Sequence, residues 1–192
     1  NSEAVSELRK RKRRPTKPFA VLFSGISKMQ EYLEISELQI QHFKSSESPI
    51  IVTKIKEVKD LAIEEISPNM NSVGAMFPYS GTLKLISKTF GKPLIATSGN
   101  FHGSPICSTT EEAEQILGKI ADYFLHNTIE IQHPQDDSVI KFSPKHQQKL
   151  VFRRSRGFAP NYFFAEELSQ LNKEKNKILS LGGDLKNTFA IV

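Results

Sequence analysis

The sequence has 192 residues, of which 38% are hydrophobic and 24% are charged, and this composition excludes a disordered chain. There is no apolar run of about 18 residues and the first residues are charged, so we expect neither a membrane partner nor a secretory signal. The single cysteine, Cys107, excludes an internal disulfide and favours a reducing, cytoplasmic location. The net charge of +5 favours an anionic partner.

The predicted elements alternate between helices and short strands. Helices are predicted over residues 2–13, 26–34, 36–44, 81–90 and 110–124. Short strands are predicted over residues 19–23, 50–52, 73–77, 93–96, 128–132, 137–142 and 149–154. This irregular alternation predicts the α/β class, with helices packed on a twisted mixed sheet.

The end of the sequence differs in character from what precedes it. Residues 165–176 are polar and charged, which is typical of a linker or an exposed helix. Residues 178–183 and 188–192 look like two strands around a Gly-rich turn. The predicted organisation is one domain over residues 1–163, a linker over 164–177 and the truncated start of a second domain over 178–192.

An unbroken run of six basic residues, Arg9 to Arg14, ends the first predicted helix. Pro15 and Pro18 fix the turn that follows. A helix that ends in cations before such a turn can aim Lys12 and Arg14 at one anion, because arginine offers phosphate a planar fork and lysine a mobile charge. A solvated basic face and a nuclear-localisation-like run are the alternative interpretations.

The segment Thr97-Ser98-Gly99-Asn100 follows directly after a buried predicted strand. In an open α/β sheet, ligands lie beyond the carboxyl ends of strands, where loop hydroxyls and backbone N–H groups can hold phosphate. The segment is therefore a candidate phosphate loop. A simple turn with capping hydroxyls is the alternative interpretation.

Two further charged segments follow. The adjacent carboxylates of Asp136 and Asp137 suit either a magnesium ion carried by a nucleotide or a turn that opens a strand; the turn is favoured for Asp136, and Asp137 stays open. The strand that ends in Arg153 and two more arginines indicates an anion or an acidic partner, with a solvated surface as the alternative. The five histidines, including His133, lack metal-ligand spacing, so no protein-bound metal is predicted.

Taken in order, these segments resemble the YrdC family, whose members make acyl-adenylates. The family's Lys-x-Arg-Pro element matches Lys12, Arg14 and Pro15, and its Ser-x-Asn element matches Ser98 and Asn100. The resemblance is stronger to the YrdC-like domain of HypF-type hydrogenase-maturation carbamoyltransferases. It is carried by the strings LRKRKRRPTKPFAVLF, VGAMFPYSGTLKLI, PLIATSGNFHGSPI, DDSV and FRRSRGFAP. The string LGGDLKNTF resembles the opening of an actin/sugar-kinase-like module.

The resemblance implies a fold, a reaction and partners. It implies a twisted sheet with a basic concave groove that binds ATP, with Mg²⁺ carried by the nucleotide. Carbamate, released from carbamoyl phosphate, attacks the α-phosphate of ATP to give carbamoyl-adenylate. The implied partners are HypE, whose C-terminal cysteine accepts the carbamoyl group toward the cyanide ligand of nickel-iron hydrogenase, and adjacent acylphosphatase, zinc-finger and actin/sugar-kinase-like domains.

The resemblance also implies roles for particular residues. The implied catalytic residues are Lys12, Arg14, Ser98 and Asn100, with the two cations at the phosphates and the other two at the adenylate phosphate and the substrate. The implied binding residues are Lys17, Ser72, Thr97, Ser138 and Arg153. Ser138 would lie beside the acyl group, and Arg153 would reach the nucleotide.

Two rival functions are weighed against this one. Threonylcarbamoyl-adenylate synthesis for tRNA modification is the rival enzyme activity, and in relatives with that activity an arginine that can pair with the amino-acid carboxylate stands at the position of Met76. The methionine here favours carbamate, which has no second carboxylate. A double-stranded RNA-binding module is the rival without catalysis, because the basic run suits a phosphate backbone. The run lacks the aromatic interleaving typical of base stacking.

Overall fold

The computed structural model describes residues 1–58, 60–101, 103–159, 179–181 and 189–191. Its helices are α1 (Ser2–Lys12), α2 (Ile26–Tyr32), α3 (Glu37–Lys44), α4 (Ile63–Ile66), α5 (Gly81–Phe90) and α6 (Thr110–Leu117). Its strands are β1 (Ala20–Leu22), β2 (Leu33–Glu34), β3 (Ile50–Ile55), β4 (Ser72–Met76), β5 (Leu94–Ala96), β6 (Val139–Phe142), β7 (Lys149–Arg153), β8 (Leu179–Leu181) and β9 (Phe189–Ile191).

The first seven strands form one mixed sheet, which confirms the predicted α/β class. The strand order is β5-β1-β4-β3-β6-β7, and β2 pairs with β3 outside this path. The pairs β1/β4 and β3/β6 are parallel, and the other pairs are antiparallel. The predicted basic groove is a matter of surface shape that this topology does not decide, and it stays a prediction.

Apolar side chains from the sheet and the helices form a single core in the first 159 residues. The sheet contributes Val21, Ile51, Val73, Ala75 and Ile140. The rest of the cluster includes Val5 of α1, Met29 of α2, Phe43 of α3 and Phe19, which precedes β1. Burying this set removes a large apolar area from water, which is the main source of the stability of the fold.

Helix ends follow local capping chemistry. The Asn1 side chain accepts a hydrogen bond from the Ala4 N–H at 3.0 Å and so caps α1, and Arg13 ends the helix in the left-handed region at φ 51°. Ser36 and Gln39 form a reciprocal capping box at the start of α3. Gly91, at φ 72°, ends α5.

Several predicted elements need correction. Residues 128–132 are not a strand; Ile129 is 80% exposed and the segment has no pairing partner among the described strands. Helix α6 ends at Leu117 rather than at residue 124, with Gly118 as its C-cap and a turn over residues 118–120. The short elements α4 and β2 were not predicted.

The chain divides into two compact units, Asn1–Ala159 and Pro160–Val192. In the second unit, β8 and β9 pair antiparallel, with Leu179 opposite Ile191. Residues 160–178 lie outside the described residues, so the linker over 164–177 and the domain limits at 163 and 178 stay predictions. Among the described residues, no helix is both long and apolar enough to cross a membrane.

Candidate anion-binding site

Helix α1 and the loop after β5 meet at one end of the sheet. Strand β5 runs antiparallel to β1, with Ala96 opposite Ala20, so the residues after β5 return to the place where the chain enters β1. Helix α1 ends just before that place. As a result, the Lys12 ammonium donates a hydrogen bond to the Ser98 carbonyl oxygen at 2.7 Å.

Lys12 is an unusual lysine because only 2% of it is exposed. The pKa of Lys12 is lowered to about 8, mainly by burial and secondly by the neighbouring positive charge of Arg14. Both causes disfavour the charged ammonium. An anion placed beside Lys12 would favour the charged form, because opposite charges attract.

Arg14 lies half-buried against the ring of Phe19, with its guanidinium carbon 4.9 Å from the ring centroid. Its guanidinium donates to the backbone carbonyls of Lys17, at 3.1 Å, and Pro18. Burial lowers the pKa of Arg14, and repulsion from Arg9 and Arg153 adds to the decrease. Arg14 and Arg153, which are 139 positions apart in the sequence, are therefore close enough to repel each other.

Lys17 and Arg153 complete the group. Burial lowers the pKa of Lys17, followed by repulsion from Arg14 and Arg153, while Asp136 acts in the opposite direction. The Arg153 Nε donates to the Asp137 carbonyl at 2.7 Å, which fixes the end of β7. We call the four predicted cations Lys12, Arg14, Lys17 and Arg153 the cation cluster. Their mutual repulsion makes the cluster a place where an anion is favoured.

The loop after β5 is held by its own polar groups. The Ser98 hydroxyl donates to the side-chain oxygen of Asn100 at 2.7 Å, and the Asn100 amide donates to the Ser104 carbonyl. The Cys107 N–H donates to the Gly99 carbonyl at 2.9 Å. Thr97 is exposed. The two predicted catalytic side chains of this loop thus lie in contact, next to the carbonyl that Lys12 holds.

Ser72 is the first residue of β4 and lies at the same end of the sheet. Gly74 is opposite Ala20 of β1, so Ser72 is beside the residues that lead into β1. The Ser72 carbonyl accepts a hydrogen bond from the Ser67 hydroxyl at 2.8 Å. Its predicted contact with nucleotide stays a prediction.

Ser138 has a structural environment that the sequence did not indicate. Its side chain is fully buried, its hydroxyl donates to the Arg156 carbonyl at 2.9 Å, and it accepts from the Ser155 N–H at 2.8 Å. These bonds tie the start of β6 to the segment that follows β7. The predicted place of Ser138 beside an acyl group stays a prediction.

Arg156 explains the role of Asp137, which the sequence left open. The Arg156 Nε donates to the Asp137 carboxylate at 2.8 Å, and its guanidinium lies over the ring of Tyr79, 3.8 Å from the centroid. The same guanidinium donates to the backbone carbonyls of Glu47 and Ser48. Arg156 was seen only as part of an arginine-rich strand end, because its partners come from three distant segments.

The donor groups of the cluster suit phosphate better than they suit a metal. Among the described residues, no group of three or more His, Cys, Asp or Glu side chains is arranged to hold a metal ion. Asp137 is paired with Arg156, and Asp136 lies 3.8 Å from Arg153. His133 is exposed. Lysine and arginine donors suit phosphate oxygens.

Comparison with protein-family models gives one match over most of the chain. The model named for Sua5, yciO and yrdC, and described as "Telomere recombination", matches residues 1–155. The probable carbamoyltransferase HypF of Methanocaldococcus jannaschii is 39% identical over 194 residues, which cover 99% of this chain and 24% of that protein. The threonylcarbamoyl-AMP synthase of Vibrio campbellii is 29% identical over 121 residues, which cover 62% of this chain and 65% of that protein.

A solved structure shows the same arrangement of elements. The crystal structure of full-length HypF in the phosphate- and nucleotide-bound form superposes with a TM-score of 0.84 at 36% identity, over 100% of this chain and 29% of that one. These matches confirm the resemblance that the sequence motifs indicated. The chain spans about a quarter of the length of the HypF relatives that it matches.

Proposed function

The chain belongs to the Sua5/YciO/YrdC family, and from this premise we propose that it forms carbamoyl-adenylate from ATP and carbamate within a HypF-type carbamoyltransferase. The observation that carries the proposal is the contact of Lys12 with the Ser98 carbonyl, together with the electrostatic repulsion of Arg14 with both Lys12 and Arg153. Lys12 and Arg14 come from one part of the chain, and Arg153 and the Ser98 loop come from two others. The three cations share a positive charge that is held in a buried or partly buried place.

The proposed reaction needs charge neutralisation more than it needs a protein nucleophile. A carbamate oxygen forms a bond to the α-phosphorus of ATP, the bond from that phosphorus to the bridging oxygen breaks, and pyrophosphate leaves with the electron pair. Both reactants are anions, so they must be brought together against their repulsion. Lys12 and Arg14 would hold the phosphates and stabilise the charge that builds on the leaving group.

The Ser98 loop would orient the adenylate. The Lys12 ammonium is held 2.7 Å from the Ser98 carbonyl, which fixes the direction of its remaining N–H donors. Ser98 and Asn100 present a hydroxyl and an amide next to it. Cys107 is buried, and its thiol pKa is raised mainly by burial, which does not suit a nucleophile.

Carbamate is the proposed substrate rather than threonylcarbamate. The resemblance places Met76, the last residue of β4 and 5% exposed, where threonylcarbamoyl-forming relatives carry an arginine that can pair with an amino-acid carboxylate. Identity to the HypF relative is also higher, and extends over more of this chain, than identity to the threonylcarbamoyl-AMP synthase. The second candidate function remains threonylcarbamoyl-adenylate synthesis, because a named synthase matches 62% of this chain.

The wider reaction is part of the same proposal. Carbamoyl phosphate would supply carbamate through an acylphosphatase domain, Mg²⁺ would arrive with ATP, and the carbamoyl group would pass to HypE. Zinc-finger and actin/sugar-kinase-like domains would belong to the same full-length protein. The reaction would take place in the cytoplasm.

RNA binding receives less support from the arrangement of the basic run. Lys10 and Arg13 are exposed, but Arg11 is paired with Glu7 and Asp122, and Lys12 is turned into the protein. The side chains of the basic run therefore point in different directions, and some of their charges are already paired within the protein. A duplex backbone would meet only part of its charge.

Identification of the product tests this proposal. The full-length protein is incubated with ATP, Mg²⁺ and bicarbonate, and either carbamoyl phosphate or threonine is added. The proposal expects AMP and pyrophosphate formation that depends on carbamoyl phosphate. Formation of threonylcarbamoyl-adenylate with threonine would support the second candidate instead.

A further inference from the structure

Arg9 makes more hydrogen bonds to the backbone than its place in a basic run suggests. Its guanidinium donates to five carbonyl oxygens that belong to two segments. Two of them, those of Glu65 and Ile66, lie at the end of α4. The other three are in the turn that carries two members of the cation cluster, and they are the carbonyls of Arg14 (2.8 Å), Pro15 (3.3 Å) and Lys17 (3.1 Å).

These contacts fix the backbone from which the phosphate-facing candidates project. The Arg14 and Lys17 carbonyls are both held by the same Nη1 atom. The Arg14 N–H donates back to the Arg9 carbonyl at 3.0 Å, and the Phe19 N–H donates to the Ile66 carbonyl at 2.9 Å. Residues 14–18, which we call the cation turn, are thus clamped between α1 and α4.

The ring of Phe19 adds a second constraint. The guanidinium carbon of Arg9 lies 4.7 Å from the ring centroid and that of Arg14 lies 4.9 Å away. Two cations that repel each other are therefore held against one buried ring. Without the carbonyl contacts, Arg14 would gain by moving away from Arg9.

Lysine could not replace Arg9 in this role. A guanidinium offers five N–H donors in a rigid plane, whereas an ammonium offers three donors at a single point. One point cannot reach carbonyls on both α4 and the cation turn. The contacts therefore require an arginine at position 9, because a lysine with the same charge could not make them.

We propose that Arg9 is a positioning residue that pre-forms the cation turn for a phosphate-bearing ligand, without touching that ligand. The inference rests on the proposed function, because it takes the cation cluster to be the nucleotide site. In this role Arg9 preorganises the site. The free-energy cost of ordering Arg14 and Lys17 arises during folding and not when the ligand binds.

The test compares Arg9→Lys with Arg11→Lys in the full-length protein. Arg11 is a matched control since it lies on the same helix and also bonds through its guanidinium, but to Glu7, Asp122 and the Ile120 carbonyl. Amide hydrogen exchange at Arg14 and Phe19 reports on the turn itself. Titrations with ATP and with inorganic pyrophosphate, at a temperature well below unfolding of each variant, report on the site.

We expect Arg9→Lys to speed exchange of both amides and to weaken ATP and pyrophosphate binding about tenfold, while Arg11→Lys does neither. Unchanged exchange, or faster exchange with unchanged affinity, would overturn the positioning role. If the wild-type protein bound pyrophosphate but not ATP, the proposed function would be wrong. The pyrophosphate affinity of Arg9→Lys would still test the role of Arg9. Binding of neither ligand would refute both.

Discussion

Lys12 and Ser98 are 86 positions apart in the sequence, yet the ammonium of one lies 2.7 Å from the carbonyl oxygen of the other. The contact depends on the antiparallel pairing of β5 with β1, which returns the chain to the end of α1. It joins two segments that each had an ordinary alternative interpretation, a solvated basic face and a capped turn. Together they form one place in which positive charge is held out of water.

The depressed pKa of Lys12 predicts a pH dependence for nucleotide binding. In the protein without ligand, Lys12 loses around pH 8 the proton that makes it a phosphate ligand, whereas an ordinary lysine keeps this proton up to about pH 10.5. ATP affinity should therefore fall as pH rises through about 8, and isothermal titration at several pH values measures this. In Lys12→Met the affinity should be lower throughout and should lack this inflection; the same inflection in the variant would assign it to another group.

The lowered pKa of Lys12 also affects the stability of the fold, which should rise with pH whereas ATP affinity falls. Because the folded pKa lies below the unfolded one, the unfolded chain binds more protons than the folded chain between pH 8 and 10.5. The contribution of Lys12 to the free energy of unfolding therefore rises with pH across this window, and the cost of its burial is complete below pH 8. Urea unfolding at pH 7.5 and 9.5 should show a smaller rise in Lys12→Met than in the wild type.

The buried hydroxyl of Ser138 predicts a loss of stability on its removal. Ser138→Ala leaves the Arg156 carbonyl and the Ser155 N–H without this partner in a partly buried place. We expect the free energy of unfolding to fall by about 1–3 kcal/mol, measured by urea denaturation. Ser46→Ala is the control, because Ser46 is exposed and bonds only to its neighbour Glu47 among the contacts described. Equal effects of the two substitutions would argue against a structural role for Ser138.

Gly157 predicts a second stability effect in the same region. Its φ of +85° is unfavourable for other residues, and an added Cβ would lie 2.6 Å from the Cα of Glu47. Gly157→Ala should therefore destabilise the fold by about 1–3 kcal/mol from the backbone strain alone, with the contact adding to it. Thermal unfolding measures the change, with Gly25→Ala as the control because a Cβ there meets nothing within 4 Å. A melting temperature equal to that of the control would contradict the close approach.

The fold class followed from the sequence because apolar runs and helix periodicity are local properties. The strands at 73–77 and 93–96 and the helix at 81–90 appear within one or two residues of their predicted bounds. The strand predicted at 128–132 was wrong for a non-local reason, because among the described residues no strand pairs with this alternating segment. The short helix α4 lacked the length that a periodic signal needs.

The sequence singled out the residues of the candidate site, but it could not predict the contacts that they make. The motifs singled out Lys12, Arg14, Ser98 and Asn100, and the structure places them at one end of the sheet. The sequence could not separate Arg9 from the other cations of its run. Its distinguishing partners, Glu65 and Ile66, lie 56 and 57 positions away, and they are backbone atoms that carry no residue-specific signal.

ATP–pyrophosphate exchange in the presence of carbamoyl phosphate is the measurement that tests the central claim most directly. The full-length protein should exchange label from pyrophosphate into ATP, and Lys12→Ala combined with Arg14→Ala should reduce the rate by at least about 100-fold. Lys10→Ala, which removes an exposed charge from the same helix, should keep the wild-type rate. Exchange that survives unchanged in the double variant would show that the cation cluster is not where adenylate forms.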